Sequence, residues 1–141
     1  MKSVIFVIAD KEKIMSERTL AQKLLIKPGY KILLLYASDN YKEMLLNISS
    51  GADISTKPEG SFDIIQIFVN NRIELENRLS EVKKILNPKV IFWVTYPKET
   101  SKIKTGINRD SIREYCASVG FETVSMFSVD DVWSAMRLKS M

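Results

Sequence analysis

The sequence predicts a three-layer α/β sandwich: a mostly parallel sheet with helices on both faces and an antiparallel C-terminal hairpin. Three observations carry this. Residues 31–36, 62–69 and 90–95 are short, continuous apolar runs bounded by turn signals, as suits parallel strands covered on both faces. Segments of helical period alternate with these runs. The last two strand-like segments, 121–127 and 132–138, leave no room for a helix between them, so they must pair antiparallel.

Taken in order, Val4-Ile5-Phe6-Val7-Ile8 is β-branched and reads as a strand. Residues 16–25 follow as a helix, with Ser16 as its N-cap, Leu20, Leu24 and Leu25 on one face, and Lys27-Pro28-Gly29 as the stop. After the 31–36 strand, Asp39 and Asn40 open a second helix. Asn40 and Glu43 have capping-box spacing, and Tyr41, Met44, Leu45 and Ile48 form the apolar stripe. Ser49-Ser50-Gly51 ends it, 54–56 is a short strand and Lys57-Pro58-Glu59-Gly60 a turn. Asn71, with Glu74 three residues on, caps a third helix whose buried positions are Leu75, Leu79, Val82 and Leu86, and Asn87-Pro88 stops it. Residues 97–107 form a polar, basic loop. Asn108 then caps a helix through Val119 with Ile112, Cys116 and Val119 on one side, and Gly120 ends it. Val129-Asp130-Asp131 joins the closing strands.

At 141 residues, with 45% hydrophobic and 27% charged residues, the chain is one globular domain, 1–141. A domain of this size buries enough surface to fold without disulfide or metal. Its single cysteine, Cys116, cannot form an intramolecular disulfide, as fits a reducing compartment. There is no histidine, which excludes Ser-His and Cys-His nucleophile pairs and removes the commonest zinc or haem ligand. The apolar run Val4–Ala9 is shorter than a secretory-signal core and far shorter than the roughly 20 residues of a membrane span. These features lead us to expect a cytoplasmic protein with no membrane partner. The net charge of +4 mildly favours anionic partners without pointing to nucleic acid.

A sandwich whose last strand returns antiparallel resembles the class I methyltransferase fold. Lys27-Pro28-Gly29 before the first central strand, Asn87-Pro88-Lys89 before another and Gly120-Phe121 before the closing strands carry that resemblance. A closer one covers residues 19–139. It rests on Leu20-Ala21-Gln22-Lys23-Leu24, Ile26-Lys27-Pro28-Gly29, Asp63, Gln66-Ile67-Phe68-Val69 and Trp93-Val94. Tyr96-Pro97-Lys98, Ser101, Lys104-Thr105, Arg109-Asp110, Asp131, Trp133-Ser134 and Leu138 complete it. By these residues the chain resembles a bacterial family of domains of unknown function. The resemblance implies the fold and no particular activity, and residues 1–14 lie outside it as an extension.

The methyl-donor site of class I methyltransferases has a glycine-rich loop after the first strand, where backbone approaches the cofactor closely. Here that stretch is Tyr36-Ala37-Ser38-Asp39-Asn40-Tyr41, without glycine. The acid that would hold ribose hydroxyls after the next strand is not found in Ile54-Ser55-Thr56-Lys57. Ser38 and Asp39 are the remaining cofactor-binding candidates, and the expectation is a fold relative that lacks standard S-adenosylmethionine binding.

The 97–113 stretch is the better ligand candidate. It leaves the carboxyl end of a central strand, where open α/β sheets bind ligands, and runs into a helix N-terminus, which favours anions. Lys98, Ser101, Lys104, Thr105, Arg109 and Arg113 are its expected anion-binding residues. Arg109 is suited to bidentate contact, and Asp110 offers a structural partner for the same cations. Ser101-x-x-Lys104 and Lys104-Thr105-Gly106 match two elements of penicillin-recognising enzymes, but they share one lysine where two are needed. Cys116 reads as a packed core thiol, Asp130 and Asp131 as turn residues and Trp93 as core. Trp133 is open to either packing or stacking on a ligand. The leading expectation is a binding domain for a small anion or a partner protein, without a cofactor. The alternatives are an S-adenosylmethionine-dependent methyltransferase with a divergent cofactor loop, testable by cofactor binding, and a nucleic-acid-associated accessory protein, testable by steep salt dependence.

Overall fold

The computed structural model describes residues 18–49, 51–98 and 106–141. The elements are α1 (Leu20–Lys23), β1 (Lys31–Leu35), α2 (Asp39–Ile48), β2 (Asp53–Ser55), β3 (Ile64–Phe68), α3 (Arg72–Lys83), β4 (Ile91–Pro97), α4 (Arg109–Ser118), β5 (Phe121–Ser128) and β6 (Trp133–Ser140). They build one six-stranded sheet in the order β2-β1-β3-β4-β6-β5. β2, β1, β3 and β4 are parallel, β6 is antiparallel to β4, and β5 pairs antiparallel with β6. The three apolar runs are therefore adjacent, parallel and central, as expected.

The strands alternate their side chains between two cores, one on each face of the sheet. Leu33, Leu35, Ile65, Ile67, Phe92 and Val94 meet Leu75, Leu79 and Val82 of α3 and Ile112 and Cys116 of α4. On the other face Ile32, Leu34, Ile64, Phe68 and Trp93 meet Leu24, Tyr41 and Leu45 from the α1 and α2 segments. Both faces of each central strand are thus removed from water, which is why these strands read as continuous apolar runs. Trp93 is core, 1% exposed, and its indole N–H donates to the Leu24 carbonyl at 3.2 Å.

The helix caps correct two expectations. Within the described residues the first helix starts at Thr19, whose hydroxyl accepts from the Gln22 N–H while the Gln22 side chain accepts from the Thr19 N–H. Ser16 and the Val4–Ile8 run lie outside those residues. The second helix is capped by Ser38, not Asn40. Ser38 is extended and its hydroxyl accepts from the Tyr41 N–H, so Asn40 is already inside the helix. A serine two residues upstream is as good a cap as asparagine, and the helix takes the earlier one. Asn71 and Asn108 cap α3 and α4 as expected. Among the described residues no helix is long and apolar enough to cross a membrane.

Candidate functional site

β1, β3 and β4 all end at the same side of the sheet, and one of the two left-handed non-glycine residues among the described residues lies there, the other being Leu25 before β1. The chain leaves β1 through Tyr36 at φ +67°. A left-handed residue with a side chain costs about 1–2 kcal/mol against glycine, so neighbouring contacts must hold it. Two side chains of α3 do. The Arg78 guanidinium lies 3.9 Å from the centre of the Tyr36 ring, and the Tyr36 hydroxyl donates to Glu81 at 2.7 Å. That hydrogen bond and partial burial hold the phenol pKa above its ordinary value. Arg78 is itself fixed, donating to the Phe68 carbonyl at 2.7 Å and pairing with Glu74 at 3.0 Å. One arginine therefore ties the ends of β1 and β3 to α3.

Two clefts open on either side of this turn. The first, about 510 Å³, has Leu34, Leu35 and Pro58 as apolar lining and Asp39, Lys42, Thr56 and Glu81 as polar lining. The second, about 530 Å³, is lined by Tyr36, Tyr41, Phe68 and Trp133, with Ser38, Asn40, Asn70 and Asp130 among its polar groups. Both volumes lie in the range of small-ligand sites.

The second cleft is rigidly built. Phe68 meets Tyr41 edge to face with centroids 4.8 Å apart, and meets Trp133 likewise at 5.2 Å. The buried Tyr41 hydroxyl donates to Gln66, whose amide N–H in turn donates to Thr95 at 2.8 Å. Burial holds the Tyr41 pKa well above that of a free phenol, and the Asp130 carboxylate adds to the shift. Asp130 Oδ1 accepts from the N–H groups of both Val132 and Trp133 at 2.8 Å, the turn role expected of it, and this places the Trp133 ring. Trp133 packs on Phe68, and it also lines the cleft.

The expected anion site divides differently. Ser101, Lys104 and Thr105 lie outside the described residues. Lys98 follows β4, and its N–H donates to the Val132 carbonyl, so it sits beside the turn that carries Asp130. Arg109 opens α4, mostly exposed, 3.8 Å from Asp110, the structural partner anticipated for it. Arg113 lines a separate cleft with Asp110, Glu114 and Glu122, which neither Lys98 nor Arg109 lines. At α4 the Asn108 side chain accepts from the Ser111 N–H and its backbone oxygen from Ile112, leaving the first N–H groups of the helix for a ligand or water. Cys116 is fully buried, and desolvation pushes its thiol up to about 12.

Tyr36, Arg78, Glu81 and Asn70 were not singled out from sequence. The one signal available was a tyrosine in the place where a glycine would turn the chain out of the first strand.

No family model matches the chain, and no curated protein matches it in sequence. In structure it is similar to the DhpI-SAH complex, with a TM-score of 0.56 at 10% identity over 98% of this chain and 88% of that one. It is also similar to the B. subtilis M1A22 tRNA methyltransferase TrmK, with a TM-score of 0.57 at 15% identity over 88% of this chain and 66% of that one. A mutant of MtNAS gives a TM-score of 0.59 at 10% identity, over 99% of this chain and 62% of that one. At such identities the likeness speaks for the fold, and the chain has the methyltransferase-like α/β fold.

Proposed function

We propose that the carboxyl end of β1 binds S-adenosylmethionine and that the chain is a methyltransferase with a divergent cofactor loop. The observation that carries this reading is the left-handed turn at Tyr36, set between two ligand-sized clefts. The absence of glycine had argued against a methyl donor. Here the left-handed turn is made by a tyrosine that Arg78 and Glu81 hold in place, so the turn itself does not call for a glycine. The likeness to the SAH complex and to a tRNA methyltransferase supports the same reading.

The residues of the first cleft fit a nucleoside. Pro58 supplies apolar surface for a purine, and the carboxylates of Asp39 and Glu81 can accept from ribose hydroxyls. These take the place of the acid that was sought, and not found, after β2. When bound, S-adenosylmethionine supplies a methyl group activated by a sulfonium. The chain's part is to hold the nucleoside, through Asp39 and the Tyr36 turn, and to keep the neighbouring cleft free for a second ligand.

Titration calorimetry with S-adenosylmethionine and S-adenosylhomocysteine tests this. We expect a dissociation constant of about 10 μM, near −7 kcal/mol, weakened at least about tenfold by Asp39→Ala. Absence of binding at about 1 mM ligand by protein with a cooperative unfolding transition would refute it.

A further inference from the structure

The two edges of the sheet differ. At one, β2 offers three residues, Asp53–Ser55. At the other, β5 offers eight, and among the described residues no strand pairs with its outer side. An open edge is a template for another strand, and proteins blunt it with shortness, lysine, proline or a bulge. β2 is short. Phe121–Ser128 has neither lysine nor proline, and its one charge is Glu122. Its bulge lies between Thr123 and Ser125. Beyond it Ser125, Met126, Phe127 and Ser128 pair one for one with Arg137, Met136, Ala135 and Ser134. Residues 125–128 therefore keep a regular, unblunted outer edge.

This stretch is apolar on both faces of the sheet. Met126 lies on the α4 face, where the Tyr96 hydroxyl meets its Sδ at 3.8 Å, and it stays 37% exposed. Phe127 lies on the opposite face, edge to face with Trp93 at 5.1 Å, and is half-buried. A strand that completes this edge is apolar at successive positions, not at alternate ones.

The chain contains one more segment of that kind. Residues 4–8, Val-Ile-Phe-Val-Ile, are uncharged and β-branched at four of five positions. They belong to the seventeen residues that precede the described ones. The described chain begins on the Phe127 face: Leu20 and Leu24 share its core with Phe127, and Lys23 Nζ stands 5.9 Å from the Phe127 ring centre. The ten residues 9–18 between the two are rich in charge. Extended, they span up to about 33 Å, several times the spacing of about 4.8 Å between strands.

We infer that residues 125–128 of β5 are a strand-accepting edge and that its occupant is the chain's own segment 4–8. This docking closes the sheet against edge-to-edge association with other chains, and it is independent of the methyl-transfer reading.

Residue-resolved amide exchange on the full chain tests this. Pairing with β6 engages alternate N–H groups of β5, and the others point outward. We expect the outward amides of 125–128 to exchange at least about a hundredfold slower than free amides. NOEs between residues 4–8 and 125–128 should accompany that protection. The Phe6→Pro/Val7→Pro variant removes two successive N–H donors. Successive N–H groups of a strand point to opposite sides, so one of the two faces β5 in any register. The variant should bring the outward amides to within about tenfold of the free rate, while amides bonded to β6 keep their protection. If those β6-bonded amides lose protection too, the NOEs of the wild type decide alone. Free exchange of the outward amides in the wild type, or absence of the NOEs, would overturn the inference. So would protection that the proline variant leaves unchanged, or that disappears on dilution, since a second copy would then hold the edge.

Discussion

Replacing Tyr36 by alanine and by glycine separates what holds the turn after β1 from what the turn costs. Both variants lose the same contacts: the Arg78 guanidinium on the ring at 3.9 Å and the hydrogen bond to Glu81 at 2.7 Å. The ring is 46% exposed, so its apolar area contributes little. A partly exposed cation–π contact is worth about 0.5–1 kcal/mol and a hydrogen bond of this kind about 1 kcal/mol. Alanine should therefore destabilise by about 2 kcal/mol. Glycine loses the same contacts but relieves the left-handed strain of about 1–2 kcal/mol, so it should lie within about 1 kcal/mol of wild type. The informative quantity is the difference between the variants. Glycine is ordinarily worse than alanine by about 0.5–1 kcal/mol, and at φ +67° the sign must invert. Urea unfolding at unchanged m-value measures it, with Tyr36→Phe isolating the Glu81 hydrogen bond. An alanine variant as stable as the glycine variant, or more so, would refute a left-handed Tyr36 and remove the observation on which the proposed function rests.

Cys116 should resist thiol reagents in the native state. Its pKa, raised by burial from 9.0 to about 12, means that the folded state keeps a proton the unfolded state releases, so stability is full below about pH 9 and falls as pH rises toward 12. The slope is about 1.4 kcal/mol per pH unit; Cys116→Ala should flatten it, and an unchanged alkaline unfolding profile would contradict the assignment. If Lys104 and Arg109 hold an anion with their neighbours in the 97–113 stretch, phosphate should raise the melting temperature of the wild type and not of a Lys104→Ala/Arg109→Ala variant. Equal destabilisation with and without phosphate would make the cluster structural.

The architecture follows from local sequence signals because each is a short-range consequence of burial or capping. A strand buried on both faces must be apolar at every position, so 31–36, 62–69 and 90–95 announce themselves without any partner being known. The antiparallel hairpin follows from chain length alone. Asn71 and Asn108 were identifiable caps because asparagine three residues before a free N–H is a local geometry. Ser38 was missed because serine and asparagine compete within two residues, and which is used depends on where Tyr36 turns the chain.

The candidate site is decided by tertiary structure. Tyr36 and Glu81 are 45 residues apart and touch only because β1 and α3 pack on one face of the sheet. The packed aromatic cluster needs Tyr41 from α2, Phe68 from β3 and Trp133 from β6, brought together by the strand order β1-β3-β4-β6. In sequence Tyr36 is only a residue that is not glycine, and Asp130 only a turn residue. What the sequence determined by itself is which segments must be buried and where they begin and end, since burial and capping act within a few residues. Only the folded sheet decides which strand ends share a cleft, because that depends on the register and order of strands that no single segment encodes.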